Sequence, residues 1–351
     1  MTHDAVKIFD KEIGSGKPVF VICEGGVTNY GQTDLARKQI DAAADAAADA
    51  VKFQACRTED VVSRVMAKRL EPELGYDWFE RMKYKELSSA TLRDLQAYAR
   101  TRGIPWFATP HDDWGLDVLD KELNVPVFKI GSGESHNSRF LRNVAKRGKP
   151  VIISFGLQSD AEAARAVRTL QDGGAGGVVA LHCLSAYPGP YDMISLPRMA
   201  HLRELLGVPV GISDHSVGRH VVIAAVALGA VMVEKHITFD KSDPRSLDNP
   251  GALLPEEFAA MVREIRDVES AMRDVPEDRR MAFLRKSRDW AGQSIVANRD
   301  IPSGAVLEES MLAFKRPGRG GMEPDEADRI LGKKTVRAIS VDEQIHAEDI
   351  A

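Results

Sequence analysis

Short runs of apolar and β-branched residues, each ending in a polar or charged group, alternate with helical periodicity over the first two-thirds of the chain. The strand candidates are "VFVICEGG" (19–26), "DAVKFQA" (49–55), "IPWFATP" (104–110) and "VFKIGSGE" (127–134). Four more follow: "PVIISFG" (150–156), "VVALHCLS" (178–185), "VPVGISDH" (208–215) and "VMVEKHITF" (231–239). Between them lie helical patterns such as "DLARKQIDAAADAAA" (34–48) and "VVIAAVALGA" (221–230). "NSRFLRNVAKR" (137–147) begins on an N-cap residue and ends before Gly148, the signature of a helix closed by a C′ glycine. A doubly wound open sheet uses the same alternation. Eight evenly spaced βα units favour closure, so the pattern predicts an α/β fold of the (β/α)8 TIM-barrel type.

Two segments break the rhythm. Residues 56–88, rich in Arg, Glu and aromatics, form an insertion after the second strand that could act as a lid over the barrel mouth. Near residue 275 the chain turns polar, and 275–284 reads as a linker. Beyond it, "QSIVANRDIPSGAVLEESMLAFKRPGRGG" has short alternating strands and turn signals such as "IPSG". The expected organisation is a catalytic barrel over 1–274, the linker, and a small, mostly β domain over 285–351, too small to carry chemistry alone.

Bulk composition narrows the classes. The 351-residue chain is long enough for a barrel of about 250 residues plus a further module. A net charge of −5 gives no electrostatic reason to expect nucleic acid or an anionic membrane as partner. The longest apolar run, 221–233, is too short to span a bilayer, and no signal-peptide pattern opens the chain. The cysteines, Cys23, Cys56 and Cys183, are odd in number and far apart, which suits reduced thiols in a cytoplasmic protein.

The strand tips carry the chemistry. TIM-barrel sites are built at the C-terminal ends of the strands, and here every end is polar. The tips are Glu24; Lys52 and Gln54; Thr109; Lys129, Ser132 and Glu134; Ser154; Ser185 and Tyr187; Ser213 and His215; Glu234 and His236. Any one of them is unremarkable as a solvated or salt-bridged rim residue, but a purely structural barrel has no need to polarise all eight at one end. His215 and His236, from neighbouring strands, could share one divalent metal. Two lysines and several hydroxyls suit an anion bearing phosphate and carboxylate. Glu24, Gln54, Glu134 and Tyr187 suit a polyhydroxyl ligand, with a carboxylate for proton transfer. Period-two alternation sets Glu234 on the face of His236, as a residue that orients a ligand or offsets cations. Lys235 falls on the other face, as a structural residue pairing barrel with helices.

In order and spacing, "DAVKFQ" (49–54), "FKIGSGE" (128–134), "GKPVIIS" (148–154), "VGISDHSVG" (210–218) and "VEKHIT" (233–238) resemble the barrel motifs of the sialic acid synthases. These are N-acetylneuraminate synthase and related nonulosonate synthases. "SIVANRDIPSGAVL" (294–307) with "FKRPG" (314–318) resembles their C-terminal antifreeze-like (SAF) domain. The resemblance implies condensation of phosphoenolpyruvate with an aldose such as N-acetylmannosamine, giving a nonulosonic acid and phosphate. It also implies Mn2+ or Mg2+ on His215 and His236. Lys52, Thr109, Lys129, Ser132, Ser154, Ser185 and Ser213 would hold phosphoenolpyruvate. Glu24, Gln54, Glu134, Tyr187 and Asp248 would face the sugar. Arg316 would reach the site of the other subunit in a domain-swapped homodimer. Glu24, Lys52, Lys129, His215 and His236 form the expected catalytic set.

Three segments depart from the family pattern. "EGGVTNYG" (24–31) has Thr28 and Asn29 in place of an Asn-His pair, "ATPHDD" (108–113) has His111 where an aromatic is usual, and "PRSLDNPG" (244–251) has Asn249 in place of a His. Because these lie nearer the expected sugar positions, the acceptor is expected to differ from ordinary N-acetylmannosamine. Two rival readings are a metal-dependent hydrolase or aldolase on the same barrel, and a non-catalytic sugar-binding homologue.

Overall fold

A computed structural model describes residues 5–351. Ahead of the first expected strand lies an unforeseen hairpin, β1 (Ala5–Ile8) paired antiparallel with β2 (Lys11–Gly14). Four residues per strand give too little alternation to register in sequence, and the hairpin owes its place to packing. Val6, Ile8 and Ile13 are buried, and Phe9 at the turn stacks on Phe20 and meets Phe107 edge-on. Phe20 opens the first barrel strand, so the hairpin plugs the N-terminal end of the barrel.

All eight expected strands form, as β3 (Phe20–Gly26), β4 (Ala50–Ala55), β5 (Trp106–Pro110), β6 (Phe128–Ile130), β7 (Val151–Phe155), β8 (Val178–Cys183), β9 (Val210–Asp214) and β10 (Met232–His236). Their order is β5-β4-β3-β10-β9-β8-β7-β6, and every adjacent pair is parallel. The TIM-barrel expectation therefore holds. β5 and β6 end the hydrogen-bonded order, so the ring closes between them by packing rather than by a ladder among the described residues.

The helices between strands follow the apolar periodicity. Helix Ser138–Ala145 starts on Asn137, whose Oδ1 accepts the Phe140 N–H at 3.1 Å. It stops two residues short of the expected end, and Gly148 beyond it takes φ +68°. The insertion is helical, with Arg64–Leu74 and Trp78–Lys83 closing on Val62, Ala67 and Phe79. It is tied to the loop after β10, where Arg81 donates to Pro244 O at 2.7 Å and Tyr84 to Arg245 O at 3.2 Å.

The chain divides into two units, the second running Arg273–Ala351. The stretch expected as a linker, 275–284, falls largely within a helix, Glu277–Ala291. Its Arg, Lys, Met, Ala and Leu are good helix formers, and Glu277 and Asp278 suit the first turn, so this polar segment is helical. After it, β11 (Ser294–Ala297) pairs antiparallel with β12 (Leu312–Lys315) around a core of Ile295, Ile301, Leu307, Ile339 and Ile345. "IPSG" forms the expected turn, with Gly304 at φ +79°.

Candidate active site

Lys52 on β4 and Lys129 on β6 point up from the barrel floor, 3% and 2% exposed. Burying an ammonium costs several kcal/mol unless partners compensate, and each has them. Lys52 ion-pairs with Glu24 of β3, donates to Thr109 Oγ1 at 2.9 Å and stands 3.7 Å from Glu234 Oε2. Lys129 donates to Ser154 Oγ at 2.6 Å and Ile130 O at 3.0 Å, with Glu234 Oε1 at 3.7 Å. Ser213 Oγ donates to the same Glu234 oxygen at 3.0 Å.

The two acids of this cluster separate in role. Burial would raise Glu234, but Lys129 and Lys52 outweigh it and hold the carboxyl down to about 2. Burial raises Glu24 to about 7; Lys52 pulls it down and Glu234 pushes it up. The two lysines thus favour the charged form of Glu234, while burial favours the protonated form of Glu24. Glu24 Oε1 is buried with no hydrogen-bond partner. Burial lowers Lys129, while Glu234 and Glu24 keep Lys52 above its ordinary value against the same burial.

Across the mouth, His215 follows β9 and His236 ends β10, their ring centroids 5.2 Å apart. His215 Nδ1 donates to Leu184 O at 3.0 Å, which leaves Nε2 free to face the cavity. His236 Nδ1 is buried without a hydrogen-bond partner, 3.8 Å from Asp248 Oδ2. Burial holds His236 down to about 4, helped by the neighbouring His215; for His215 burial is outweighed by Cys183, which lifts it to about 9. Among the described residues no group of three His, Cys, Asp or Glu side chains is arranged to hold a metal ion. Tyr187 packs over His215 with centroids 4.2 Å apart.

The serines converge on one wall. Ser132 Oγ accepts the Gly156 N–H at 2.9 Å. A Cβ at residue 156 would fall 2.3 Å from Ser185 Oγ and 2.9 Å from Ser132 Oγ and Cys183 Sγ, so only glycine lets these groups meet.

These elements enclose a cavity of about 350 Å³. Lys52, Lys129, Thr109, Ser132, Ser154, Ser185 and Ser213 all line it, as do Glu24, Gln54, Glu134, Tyr187, Asp248, His215 and His236. Arg316 lies exposed on the loop after β12, in the second unit. Beyond the residues expected to bind substrate or metal, the cavity is also lined by Glu234, Cys183, His111 and Leu157, with Gly131 and Gly133. Strand position marks Glu234 as a supporting acid, and it could have marked Cys183 too, since that residue ends β8.

Of the departures, only His111 reaches the cavity. Thr28, Asn29 and Asn249 are buried and hydrogen-bonded away from it. Thr28 Oγ1 donates to Ile237 O at 2.8 Å, and Asn29 Nδ2 donates to Gly26 O at 3.0 Å. Asn249 Nδ2 donates to Tyr30 Oη and to Asp243 O, each at 2.7 Å, while its Oδ1 accepts from Thr238 Oγ1 at 2.8 Å. These residues lock the loops after β3 and β10 together.

Lys235, fully buried, donates to Asp214 Oδ2 at 2.6 Å and Ser216 O at 2.5 Å. It is structural as expected, but it pairs with the neighbouring strand and the turn carrying His215 rather than with the helices.

A model of the NeuB family matches residues 39–277, more than half of the chain and most of the barrel. The chain belongs to the NeuB family. An SAF domain matches residues 292–351 of this NeuB-family protein. It is 37% identical over 350 residues to an uncharacterized protein of Methanocaldococcus jannaschii, covering 99% of each chain. To the N,N'-diacetyllegionaminic acid synthase of Campylobacter jejuni it is 33% identical over 344 residues, 94% of this chain and 99% of that one. Among solved structures it is similar to the N-acetylneuraminic acid (sialic acid) synthetase of Leptospira borgpetersenii. There the TM-score is 0.69 at 30% identity, over 81% of this chain and 96% of the other.

Proposed function

We propose that the protein condenses phosphoenolpyruvate with an aldose of the N-acetylmannosamine type and water, giving a nonulosonic acid and phosphate. The observation that carries this is the buried floor, where Lys52 and Lys129 each sit beside a hydroxyl and share the anionic Glu234 below Glu24. Relatives that are synthases of legionaminic and sialic acids support the same reaction.

Phosphoenolpyruvate would lie over the lysines, its phosphate and carboxylate taking donors from Lys52, Lys129, Thr109, Ser132, Ser154, Ser185 and Ser213. Glu24, Gln54, Glu134, Tyr187 and Asp248 would hold the open-chain sugar. Carbon 3 of phosphoenolpyruvate bonds to the aldehyde carbon as the carbonyl π pair goes to oxygen, which takes a proton. Carbon 2 becomes cationic, and water adds there and loses a proton. Glu24, a buried carboxyl whose burial favours the protonated form, suits one of these transfers. The tetrahedral intermediate then expels phosphate by breaking C–O, its C2 hydroxyl passing its proton to the departing phosphate as the carbonyl forms, which leaves the 2-keto acid.

His215 and His236 would hold Mn2+ or Mg2+. The unpartnered His236 Nδ1 and the free His215 Nε2 fit that role, with two ligands leaving the remaining positions to water and substrate. Such an ion supplies Lewis acidity to the aldehyde when bound. The same reading extends to a cytoplasmic, domain-swapped homodimer in which Arg316 would serve the second subunit's sugar.

The test is phosphate release from phosphoenolpyruvate with Mn2+ and a panel of aldoses, with mass spectrometry of the product. Phosphoenolpyruvate labelled with 18O at its bridging oxygen should give labelled phosphate. No phosphate release with any aldose overturns the proposal.

A further inference from the structure

The hydrogen-bonded strand order ends at β5 and β6, and one side-chain pair spans that seam at the barrel mouth. His111 follows β5, its backbone N–H donating to Ala55 O at 3.1 Å, and its Nδ1 lies 3.0 Å from Glu134 Oε1 beyond β6. Both side chains line the cavity. Each also keeps one buried polar atom with no hydrogen-bond partner, Nε2 of His111 and Oε2 of Glu134. Native interiors rarely leave such atoms unpaired, and two on one hydrogen-bonded pair point to a ligand that completes both. A Cβ at residue 131 would come within 2.8 Å of Glu134 Oε2, so the glycine there keeps the approach to that oxygen open.

We propose that His111 is a specificity-determining residue for the acceptor: its Nε2 and Glu134 Oε2 form a donor–acceptor clamp for two adjacent hydroxyls of the aldose. This rests on the condensation reading above. With Glu134 ionised, Nδ1–H points to the carboxylate. Burial disfavours the imidazolium, but Glu134 outweighs it and raises His111; in the imidazolium both ring nitrogens donate, and Nε2 meets the sugar as a donor. One sugar hydroxyl accepts from Nε2, and its neighbour donates to Oε2. The clamp stands on β5 and β6, across the ring from β9 and β10, which carry His215 and His236. It therefore grips the acceptor away from the histidine pair.

The full-length protein is assayed for phosphate release with phosphoenolpyruvate, Mn2+ and either N-acetylmannosamine or its singly deoxygenated derivatives. In the wild type, loss of a clamped hydroxyl should lower kcat/KM by about tenfold or more. In His111→Phe the same loss should cost less than about twofold, with KM for phosphoenolpyruvate nearly unchanged. His111→Gln, whose amide still donates, should keep part of the discrimination and carries the test if the Phe variant does not fold. Wild-type discrimination in both variants overturns the proposal. So does a rise in KM for phosphoenolpyruvate equal to that for the aldose. If the wild type turns over no aldose, the condensation reading fails separately, and saturation-transfer NMR with the same aldoses then decides the clamp. Binding that depends on His111 supports it, and binding that does not, or none, overturns it.

Discussion

Asn249 Nδ2 donates to Tyr30 Oη at 2.7 Å, joining the loop after the last barrel strand to the loop after the first. Asn249 is fully buried and satisfied on both faces of its amide, by Tyr30 and Asp243 O on one side and Thr238 on the other. Arg245 caps the same Tyr30 ring, 3.9 Å from its centroid. Asn249→Ala should cost about 1–3 kcal/mol, the penalty for stranding buried partners. Aldose preference should stay as in the wild type. Urea denaturation and a kcat/KM panel check both halves.

That relationship shows where sequence was informative and where it was not. The strand tips were legible because a parallel barrel puts every C-terminal end at one mouth, so Lys52, Lys129, His215 and His236 had to converge. A residue in the following loop has no such constraint. Thr28, Asn29 and Asn249 stand beside site motifs in sequence yet turn their side chains into the loop packing, whereas His111 turns into the cavity. Sequence proximity to a motif says nothing of that direction. Glu234 was legible by alternation as a supporting acid, but not its pairing with both lysines, which depends on distances across the barrel.

Lys129 and Glu234 offer a test of binding against stability. Lys129→Met removes a donor from the anion site and should lower turnover by about 10²–10³. It also leaves Glu234 with one cation fewer, Lys52 at 3.7 Å, and should destabilise the fold. Adding Glu234→Gln should restore much of the melting temperature and none of the activity. Thermal melts beside phosphate-release assays separate the two effects.

The His111–Glu134 pair predicts a pH window. Burial would lower His111 and raise Glu134, but each partner's charge outweighs burial on the other, so His111 lies above its ordinary 6.5 and Glu134 below its ordinary 4.5. A raised His stabilises fully below 6.5, and that contribution fades as pH rises through its folded value. A lowered Glu stabilises fully above 4.5, fading as pH falls through its folded value. Lys52 and Glu24 also act on His111, with opposite signs. The loss of melting temperature in His111→Gln should therefore be greatest between pH 4.5 and 6.5 and shrink on both sides. A loss independent of pH would show that the pair does not fold as an ion pair.

Lys235 and Asp214 hold the turn that carries His215. Asp214 accepts the Ser216 N–H and hydroxyl, each at 3.0 Å, while Lys235 binds both the Asp214 carboxylate and Ser216 O. His215 sits between those two bracketed residues, so its ring position depends on a buried ion pair it does not touch. Lys235→Ala strands Asp214 in the interior and should cost about 3–5 kcal/mol. Lys235→Met with Asp214→Asn should recover most of that stability, because no uncompensated charge is then buried. The turn would still lack its cationic tie to Ser216 O. On the proposed role of His215 and His236, the Mn2+ concentration for half-maximal activity should remain about tenfold higher than in the wild type. A manganese titration of the chelator-treated double variant checks this, and wild-type dependence would show that the tie supports the fold alone.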